Sequence, residues 1–311
     1  MTTKPIEGVC PIVTTPFLND GGVDEAGFRS VARWLAQDGC GALTLFGIAG
    51  EYYKLSDDER KRMTAWLVEE CRAGDVPSII SVTDHATELA VVRAREWEAS
   101  GADCLMLLPP FFLKPGAASL VAHMKAVVAA VDIPVMLQYA PEQTGVAIAP
   151  EALWSVAEKD PARVIFKIEN RPSGPTISRL REISGGAARI FVGNAGFQLL
   201  EGLQRGGIGV MPGCSMFDLY AKVMRLWQSG DTTAAIDLHT RLLEILNHIR
   251  QDVEQIIRFE KRILVKRGVL QNDNCRSPSF RSDAVFDELF EVLYRRIEPY
   301  FEASAPKGTQ A

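Results

Sequence analysis

The sequence lacks the features that mark several large classes of protein. It has no surplus of basic residues: 34 lysines and arginines face 39 aspartates and glutamates, and the net charge is −5. This balance argues against a nucleic-acid partner. The longest apolar run, around residues 105–113, is interrupted by two prolines and is far shorter than the ~20 residues of a membrane-spanning helix. We therefore expect no membrane association.

Paired cysteines and metal-ligand motifs are also missing. The six cysteines are scattered, with no Cys-x-x-Cys pair, which is typical of a reduced protein. The first residues show no apolar segment flanked by basic ones, so we expect no secretion signal and a cytoplasmic location. The histidines have no metal-binding spacing with acidic residues, and we expect no bound metal.

What the chain does contain is a regular alternation of short apolar runs with longer amphipathic ones. Apolar runs buried on both faces are typical of parallel strands, and eight of them alternating with helices favour an α/β fold, the (β/α)₈ TIM barrel. A doubly wound parallel sheet is the alternative that strand counting leaves open. The predicted strands are Val9–Thr14, Ala42–Phe46, Ser78–Val82, Cys104–Leu108, Pro134–Tyr139, Val164–Ile168, Arg189–Val192 and Gly209–Met211.

After residue 214 the strand pattern stops. We therefore expect a catalytic barrel over residues 1–214 and a C-terminal helical extension over residues 215–311. Within the barrel, the segment from Ser56 to Glu59 has the pattern of a capping box and predicts the start of a helix. The helices predicted in the extension are Asp218–Ser229, Thr232–Ile249, Val253–Lys266 and Ala284–Phe301.

Lys167 is the most informative residue at the carboxyl ends of the predicted strands, where barrel enzymes carry their chemistry. It is the only lysine inside a strand-like run. Burial disfavours the charged form of a lysine, and a neutral amine is what attack on a carbonyl carbon requires. The alternatives are a lysine paired with an acid, such as Glu169, or one that extends to the barrel mouth.

Three other features follow strand ends. Tyr139 ends the strand before that of Lys167, and its phenol is expected within reach to relay protons, unless it only packs. The glycines of the segment Gly47–Glu51 free backbone N–H groups for a substrate carboxylate, unless the segment is only a tight turn. His85 either assists a leaving hydroxyl or bonds to Asp84 at a helix start.

Four motifs occur in order along these strands: Thr14-Thr15-Pro16-Phe17, Gly47-x-x-Gly50-Glu51, Tyr139-x-Pro141 and Phe166-Lys167-Ile168-Glu169. In this combination the chain, from about residue 8 to residue 301, resembles the dihydrodipicolinate synthase/N-acetylneuraminate lyase family. The resemblance implies a TIM barrel in a homo-oligomer, a tetramer or dimer. It also implies that Lys167 forms an imine with a small 2-oxo acid, that Tyr139 moves protons, and that no other cofactor takes part.

The same resemblance implies a set of residues that bind the substrate, to which the position of His85 adds one more. Three departures from the family pattern argue against dihydrodipicolinate synthesis. Ile48 and Ala49 replace two hydroxyl residues, Phe111-Phe112 stand where a tyrosine is usual, and Gln143 replaces an arginine that holds a carboxylate. The substrate-binding candidates are Thr14, Ile48, Ala49, Gly50, His85, Gln143, Gly193 and Met211.

Within the family, the segments around Gln138 and Lys167 are similar to those of 2-keto-3-deoxyarabonate dehydratases. The sequence therefore predicts a Schiff-base lyase, a dehydratase of a 2-keto-3-deoxy sugar acid. The alternatives are a pyruvate-dependent aldolase, including a dihydrodipicolinate synthase-like activity, and a ligand-binding barrel without catalysis. We also expect Gln138 and Glu169 to point away from the barrel lumen, and so from Lys167, by strand alternation, and Phe112 to help make a dry pocket.

Overall fold

The computed structural model describes residues 5–37 and 39–302 of the chain. In these ranges each of the eight predicted strands is present and overlaps its apolar run. The strands are β1 (Gly8–Val9), β2 (Leu43–Leu45), β3 (Ser78–Val82), β4 (Cys104–Leu107), β5 (Val135–Tyr139), β6 (Val164–Ile168), β7 (Arg189–Val192) and β8 (Gly209–Val210).

Helices occupy the amphipathic runs between the strands and after β8. Helices α10 and α11 have the predicted bounds, and the others of the extension begin within one residue of the predicted start. The helices are α1 (Glu25–Gln37), α2 (Asp57–Ala73), α3 (Thr87–Ala99), α4 (Ala117–Ala129), α5 (Pro141–Thr144), α6 (Pro150–Ala157), α7 (Gly174–Ile183), α8 (Leu199–Gln204), α9 (Phe217–Gln228), α10 (Thr232–Ile249), α11 (Val253–Lys266) and α12 (Ala284–Ile297).

The first of two compact units consists of Met1–Cys10 and Pro77–Pro212. In its described part, parallel strands are hydrogen-bonded in the order β1-β8-β7-β6-β5-β4-β3. The first strand of the chain pairs with the last, with Gly8 opposite Gly209. A doubly wound sheet keeps its first strand in the interior of the sheet, whereas a barrel closes first on last. The predicted (β/α)₈ barrel is confirmed.

The second unit consists of Pro11–Val76 and Gly213–Ala311, and contains β2, α1, α2 and the helices α9 to α12. The predicted first strand extends to Thr14, but the observed ladder ends at Val9. Pro11 has no N–H to donate to a ladder, and beyond it only isolated parallel bridges join Ile12 to Thr44 and to Gly213. The functional division at residue 214 stays a prediction.

Three of the expectations from composition concern the whole chain. None of the helices in the described ranges combines the length with the hydropathy that a bilayer crossing demands. The six cysteines all lie in the described ranges, where none of them forms a disulfide and five are buried. Across the same ranges, no three histidine, cysteine or acidic side chains converge as metal ligands would. The first four residues, where a secretion signal would begin, lie outside the described part.

Helix α2 begins at the capping box that the sequence predicts. The Ser56 hydroxyl accepts a hydrogen bond from the Glu59 backbone N–H at 3.3 Å, and the Ser56 N–H donates to the Glu59 carboxylate at 2.9 Å. That carboxylate also accepts from the Arg276 guanidinium at 2.8 Å. This hydrogen bond is the main reason that the pKa of Glu59 is lowered to about 2, while partial burial acts in the opposite direction.

We expect the contribution of Glu59 to stability to be lost as the pH falls from about 4.5 to about 2. Because the pKa of the folded state lies below the ordinary value, the unfolded chain takes up the proton first, and acid favours unfolding. A Glu59→Gln variant should be less stable than wild type by about 1 kcal/mol near pH 6, a value reduced for solvent screening. Denaturant unfolding measures this difference, which should vanish near pH 2.

Glu288, an exposed residue of α12, offers a matched control, since a Glu288→Gln change removes the same charge. It should alter stability little at any pH. A difference between Glu59→Gln and wild type that stays constant from pH 6 to pH 2 would contradict this account.

Candidate active site

Lys167 lies in β6 with only 2% of its surface exposed. Its ammonium nitrogen lies 3.4 Å from Oε1 of Glu169 and 4.0 Å from the sulfur of Met106. Of the alternatives drawn from the sequence, the structure therefore shows a buried lysine beside an acid. The separation from Glu169 is longer than the 2.7–2.9 Å of a tight charge-assisted hydrogen bond.

The register between β5 and β6 decides which side chain of β5 accompanies Lys167. Gln138 is paired with Lys167, and Tyr139 is paired with Ile168. Paired residues of neighbouring parallel strands project to the same face of a sheet, and successive residues project to opposite faces. Gln138 therefore shares a face with Lys167, and Tyr139 lies on the other face.

The contacts of Tyr139 agree with this register. Its hydroxyl accepts a hydrogen bond from the backbone N–H of Ile148 at 3.3 Å. On the same face, two positions before Ile168, Phe166 packs against Trp154 of α6, with ring centroids 6.3 Å apart. The expectation that Tyr139 reaches Lys167 is wrong, because a phenol at this position points toward the helix layer.

Glu169 and Gln138 occupy the place expected for the phenol. The Gln138 amide donates to Oε2 of Glu169 at 2.5 Å, and the Asn194 backbone N–H donates to Oε1 at 2.9 Å. The expectation that both side chains point away from Lys167 is wrong. Residues 167 and 169 are two positions apart and share a face, so the alternation itself was a signal for Glu169. The role of Gln138 required the register.

The turn after β7 supplies the backbone donor to Glu169. A Cβ on Gly193 would lie 2.2 Å from Cγ of Glu169, so only glycine leaves room for that side chain. Asn194 and Ala195 follow in left-handed conformations, with φ of 52° and 51°. Asparagine tolerates this region, but alanine is strained there. Of the predicted pocket residues, Gly193 is thus placed directly against Glu169.

Arg171, which the sequence analysis did not single out, joins this cluster from the loop after β6. Its guanidinium donates to the side-chain oxygen of Asn194 at 3.0 Å and lies 3.3 Å from the carboxylate of Glu142 in α5. The first unit therefore contains a connected polar cluster, which runs from Lys167 through Glu169 and Asn194 to Arg171. No periodic signal marks Arg171, since it lies beyond the strand end.

The remaining candidates in the first unit have different positions. Met211 is buried, and its backbone N–H donates to Val192 at 3.1 Å. Gln143 is exposed on α5. His85 is exposed, with its ring 4.8 Å from that of Phe111. Phe112 is 79% exposed, so the expectation that it makes a dry pocket is wrong for this chain.

The predicted carboxylate loop belongs to the second unit. Ile48, Ala49 and Gly50 form a 3₁₀ turn. The Thr15 hydroxyl donates to the Gly50 carbonyl at 2.7 Å, while the neighbouring Thr14 hydroxyl is buried and has no hydrogen-bond partner among the described residues. The backbone of this turn is ordered and can present its N–H groups to a substrate carboxylate, which is the role that the glycines predict.

A buried ion pair anchors the end of that turn. Glu51 has a left-handed backbone (φ 57°), and its carboxylate contacts the ammonium of Lys261 in α11. Both residues are 0% exposed. The Lys261 ammonium also donates to the Asn274 carbonyl at 2.8 Å. Sequence patterns gave no indication of a partner 210 positions away.

Comparisons of the sequence with known proteins point to a single family. A model of the dihydrodipicolinate synthetase family matches residues 5–288. The 4-hydroxy-tetrahydrodipicolinate synthase of Sphingopyxis alaskensis is 30% identical over 252 residues, 76% of this chain and 81% of the relative. The L-2-keto-3-deoxyarabonate dehydratase of Azospirillum brasilense is 26% identical over 281 residues, 89% and 90% of the two chains.

Solved structures show the same likeness. The crystal structure of dihydrodipicolinate synthase from Rhodopseudomonas palustris superposes with a TM-score of 0.85 at 25% identity, covering 93% of this chain and 97% of that one. The similarity therefore extends over nearly the whole chain, and it includes relatives named as synthases and one named as a dehydratase.

The corrected position of Tyr139 leads to a direct test. A Tyr139→Phe variant should lose only the hydrogen bond from Ile148, and should be destabilised by about 1 kcal/mol. Trapping of pyruvate on the protein by borohydride should proceed at nearly the wild-type rate, because the phenol faces away from Lys167. The neighbouring Gln138→Leu variant, on the lysine face, should slow trapping. A loss of about 10²–10⁴-fold for Tyr139→Phe, typical of an acid–base group, would show that the phenol acts on the lysine.

Proposed function

The chain belongs to the dihydrodipicolinate synthetase family, and from that premise we propose that it dehydrates a 2-keto-3-deoxy sugar acid through an imine on Lys167. Enzymes of this family are lyases that form a Schiff base between a lysine and pyruvate and need no cofactor. The observation that carries the proposal is the Glu169 carboxylate, 3.4 Å from the buried Lys167 ammonium. It supplies a proton acceptor where the phenol was expected.

The first stage is formation of the imine. One proton passes from the Lys167 ammonium to Glu169, and the neutral amine adds to the C2 carbonyl of the substrate. The oxygen of the adduct takes one proton from the amine nitrogen and a second from Glu169, and then leaves as water. The products of this stage are a protonated imine, one water molecule and a Glu169 carboxylate ready for the next step.

The second stage is the dehydration. The protonated imine withdraws electrons from C3, so the Glu169 carboxylate removes a C3 proton and an enamine forms. The electron pair of the enamine expels the C4 hydroxyl, which takes the proton from Glu169 and leaves as water. The Gln138 amide and the Asn194 N–H hold both oxygens of Glu169, and this restricts the carboxylate to the face that carries Lys167.

An aldolase is the second candidate, because breakage of the C3–C4 bond uses the same imine and relatives named as synthases match the chain. Two features favour dehydration: the carboxylate beside Lys167, and the dehydratase match over 89% of the chain. A panel of 2-keto-3-deoxy acids separates the candidates, since a dehydratase releases water and an aldolase releases pyruvate. A barrel that only binds its ligand would do neither.

Other expectations from the sequence stay part of this proposal. The turn Ile48–Gly50 and Thr14 are proposed to bind the substrate carboxylate, with Met211 in the pocket wall and His85 and Gln143 toward the distal end of the substrate. Family enzymes are usually oligomeric, and a homotetramer or dimer in the cytoplasm is proposed for this chain.

A Lys167→Ala variant should form no adduct when pyruvate and borohydride are added. The wild-type protein should gain the mass of reduced pyruvate on Lys167, because that lysine lies at a strand end beside a proton acceptor 3.4 Å away, whereas the buried Lys261 is held in a close ion pair with Glu51. Mass spectrometry of the intact protein and of its peptides measures both results. Wild-type protein without an adduct would favour the binding-only alternative, and full turnover by Lys167→Ala would reject both enzymatic versions.

A Glu169→Gln variant should trap pyruvate more slowly than wild type, because imine formation loses its proton acceptor, and should lose turnover by about 10²–10⁴-fold, the range expected for removal of an acid–base group. The amide of a glutamine has nearly the same shape as the carboxylate that it replaces, so KM should change little. Steady-state kinetics on the preferred 2-keto-3-deoxy acid measure the effect. The control is Glu158→Gln, which changes an exposed glutamate of the same unit. Unaltered kcat in Glu169→Gln would remove this residue from the mechanism.

A further inference from the structure

The loops after β6 and β7 contain buried polar atoms that nothing in the described part of the chain satisfies. They are Oδ1 of Asn170, Oγ of Ser173 and Nδ2 of Asn194. Ser173 and Asn194 are only 2% and 4% exposed. Buried polar groups in folded proteins are nearly always hydrogen-bonded. Two loops that adjoin the proposed catalytic pair thus offer both donors and acceptors to a polar ligand.

A positive charge lies in the same cluster. The side chain of Arg171 is 52% exposed, and its guanidinium is held by the Asn194 side-chain oxygen. Asn194 in turn donates its backbone N–H to Glu169, so a single residue links the guanidinium to the carboxylate beside Lys167. A guanidinium presents paired N–H donors that match the two oxygens of a carboxylate.

The acid that now faces Arg171 is held weakly. Glu142 lies 3.3 Å from the guanidinium, and its side chain is 39% exposed. Exposed ion pairs contribute little free energy because water screens them. A carboxylate of a bound substrate can therefore take the place of Glu142 at little cost.

From this arrangement we propose that Arg171 is the specificity-determining residue of the site and binds a second, distal carboxylate of the substrate. The substrate class is then the 2-oxo dicarboxylates with hydroxyl groups between the two acids. Those hydroxyl groups accept a hydrogen bond from Nδ2 of Asn194 and donate one to the side-chain oxygen Oδ1 of Asn170, the two unsatisfied atoms. The inference rests on the proposed function, since it needs the other end of the substrate attached to Lys167.

The test compares two probes of equal chain length that differ only at the distal end. 2-Oxoglutarate carries a second carboxylate, and 2-oxopentanoate ends in a methyl group. The concentration of each that gives half-maximal borohydride trapping on Lys167 measures its binding. Wild-type protein should be half-saturated at a concentration of 2-oxoglutarate about three- to fivefold below that of 2-oxopentanoate, the contribution of one half-exposed ion pair.

Two variants should change the half-saturating concentration of 2-oxoglutarate alone, one raising it and the other lowering it. Arg171→Gln should raise the half-saturating concentration of 2-oxoglutarate about three- to fivefold, and should leave 2-oxopentanoate and pyruvate unchanged. Glu142→Gln should lower it, because a competing carboxylate is removed. Arg179→Gln is the matched control and should change none of the three. It removes an arginine of α7 that is 44% exposed and is paired with Glu151 and Glu182.

Equal half-saturation of wild type by the two five-carbon probes would overturn the assignment. So would an Arg171→Gln variant that weakens all three probes equally, because that result indicates general damage to the site. Failure of the proposed function has a different signature: wild-type protein would then trap not even pyruvate, and the inference about Arg171 would fall with it.

Discussion

The site depends on the burial of an ammonium and a carboxylate beside one another. Moving either ion alone out of water costs several kcal/mol, and only a close, well-bonded partner offsets that cost. Lys167 has Glu169 at 3.4 Å, and Glu169 has fixed N–H donors on both oxygens. At 3.4 Å the ammonium is not locked in a tight ion pair. In the proposed mechanism the two groups approach for proton transfer, and the amine is then free to attack.

The backbone around this pair is shaped to keep it in place. Glycine at position 193 leaves the space that the Glu169 side chain fills, and the left-handed pair Asn194-Ala195 turns an N–H group toward the carboxylate. Strained non-glycine backbone of this kind persists only where surrounding contacts hold it, and it is concentrated at functional sites. The strain in the turn after β7 is therefore tied to the position of the acid, and not to the connection between strand and helix alone.

Much of the fold, but less of the site, could be predicted from the sequence. The spacing of apolar residues and the length of the apolar runs identify the eight strands, and they show that Lys167 lies inside one of them. These are local properties of the chain. The sequence predicts the wrong face for Tyr139 because spacing alone leaves the register open, and a shift of one residue exchanges the two faces of a strand. Arg171 and the pair of Glu51 with Lys261 escaped prediction for a related reason: their partners are brought together only by the tertiary structure.

The substitution of both hydroxyl residues in the loop at Ile48 and Ala49 motivates the alternative of a barrel that has lost catalysis. The second unit argues against that alternative. The turn is held through its ends, by the Thr15 hydroxyl on the Gly50 carbonyl and by the Lys261 ammonium on Glu51, and neither contact uses the side chains at 48 and 49. The substitutions therefore change which groups the turn offers and leave its backbone anchored. A change of substrate fits this pattern, because the backbone of the turn keeps its anchors while the side chains that it presents at positions 48 and 49 differ.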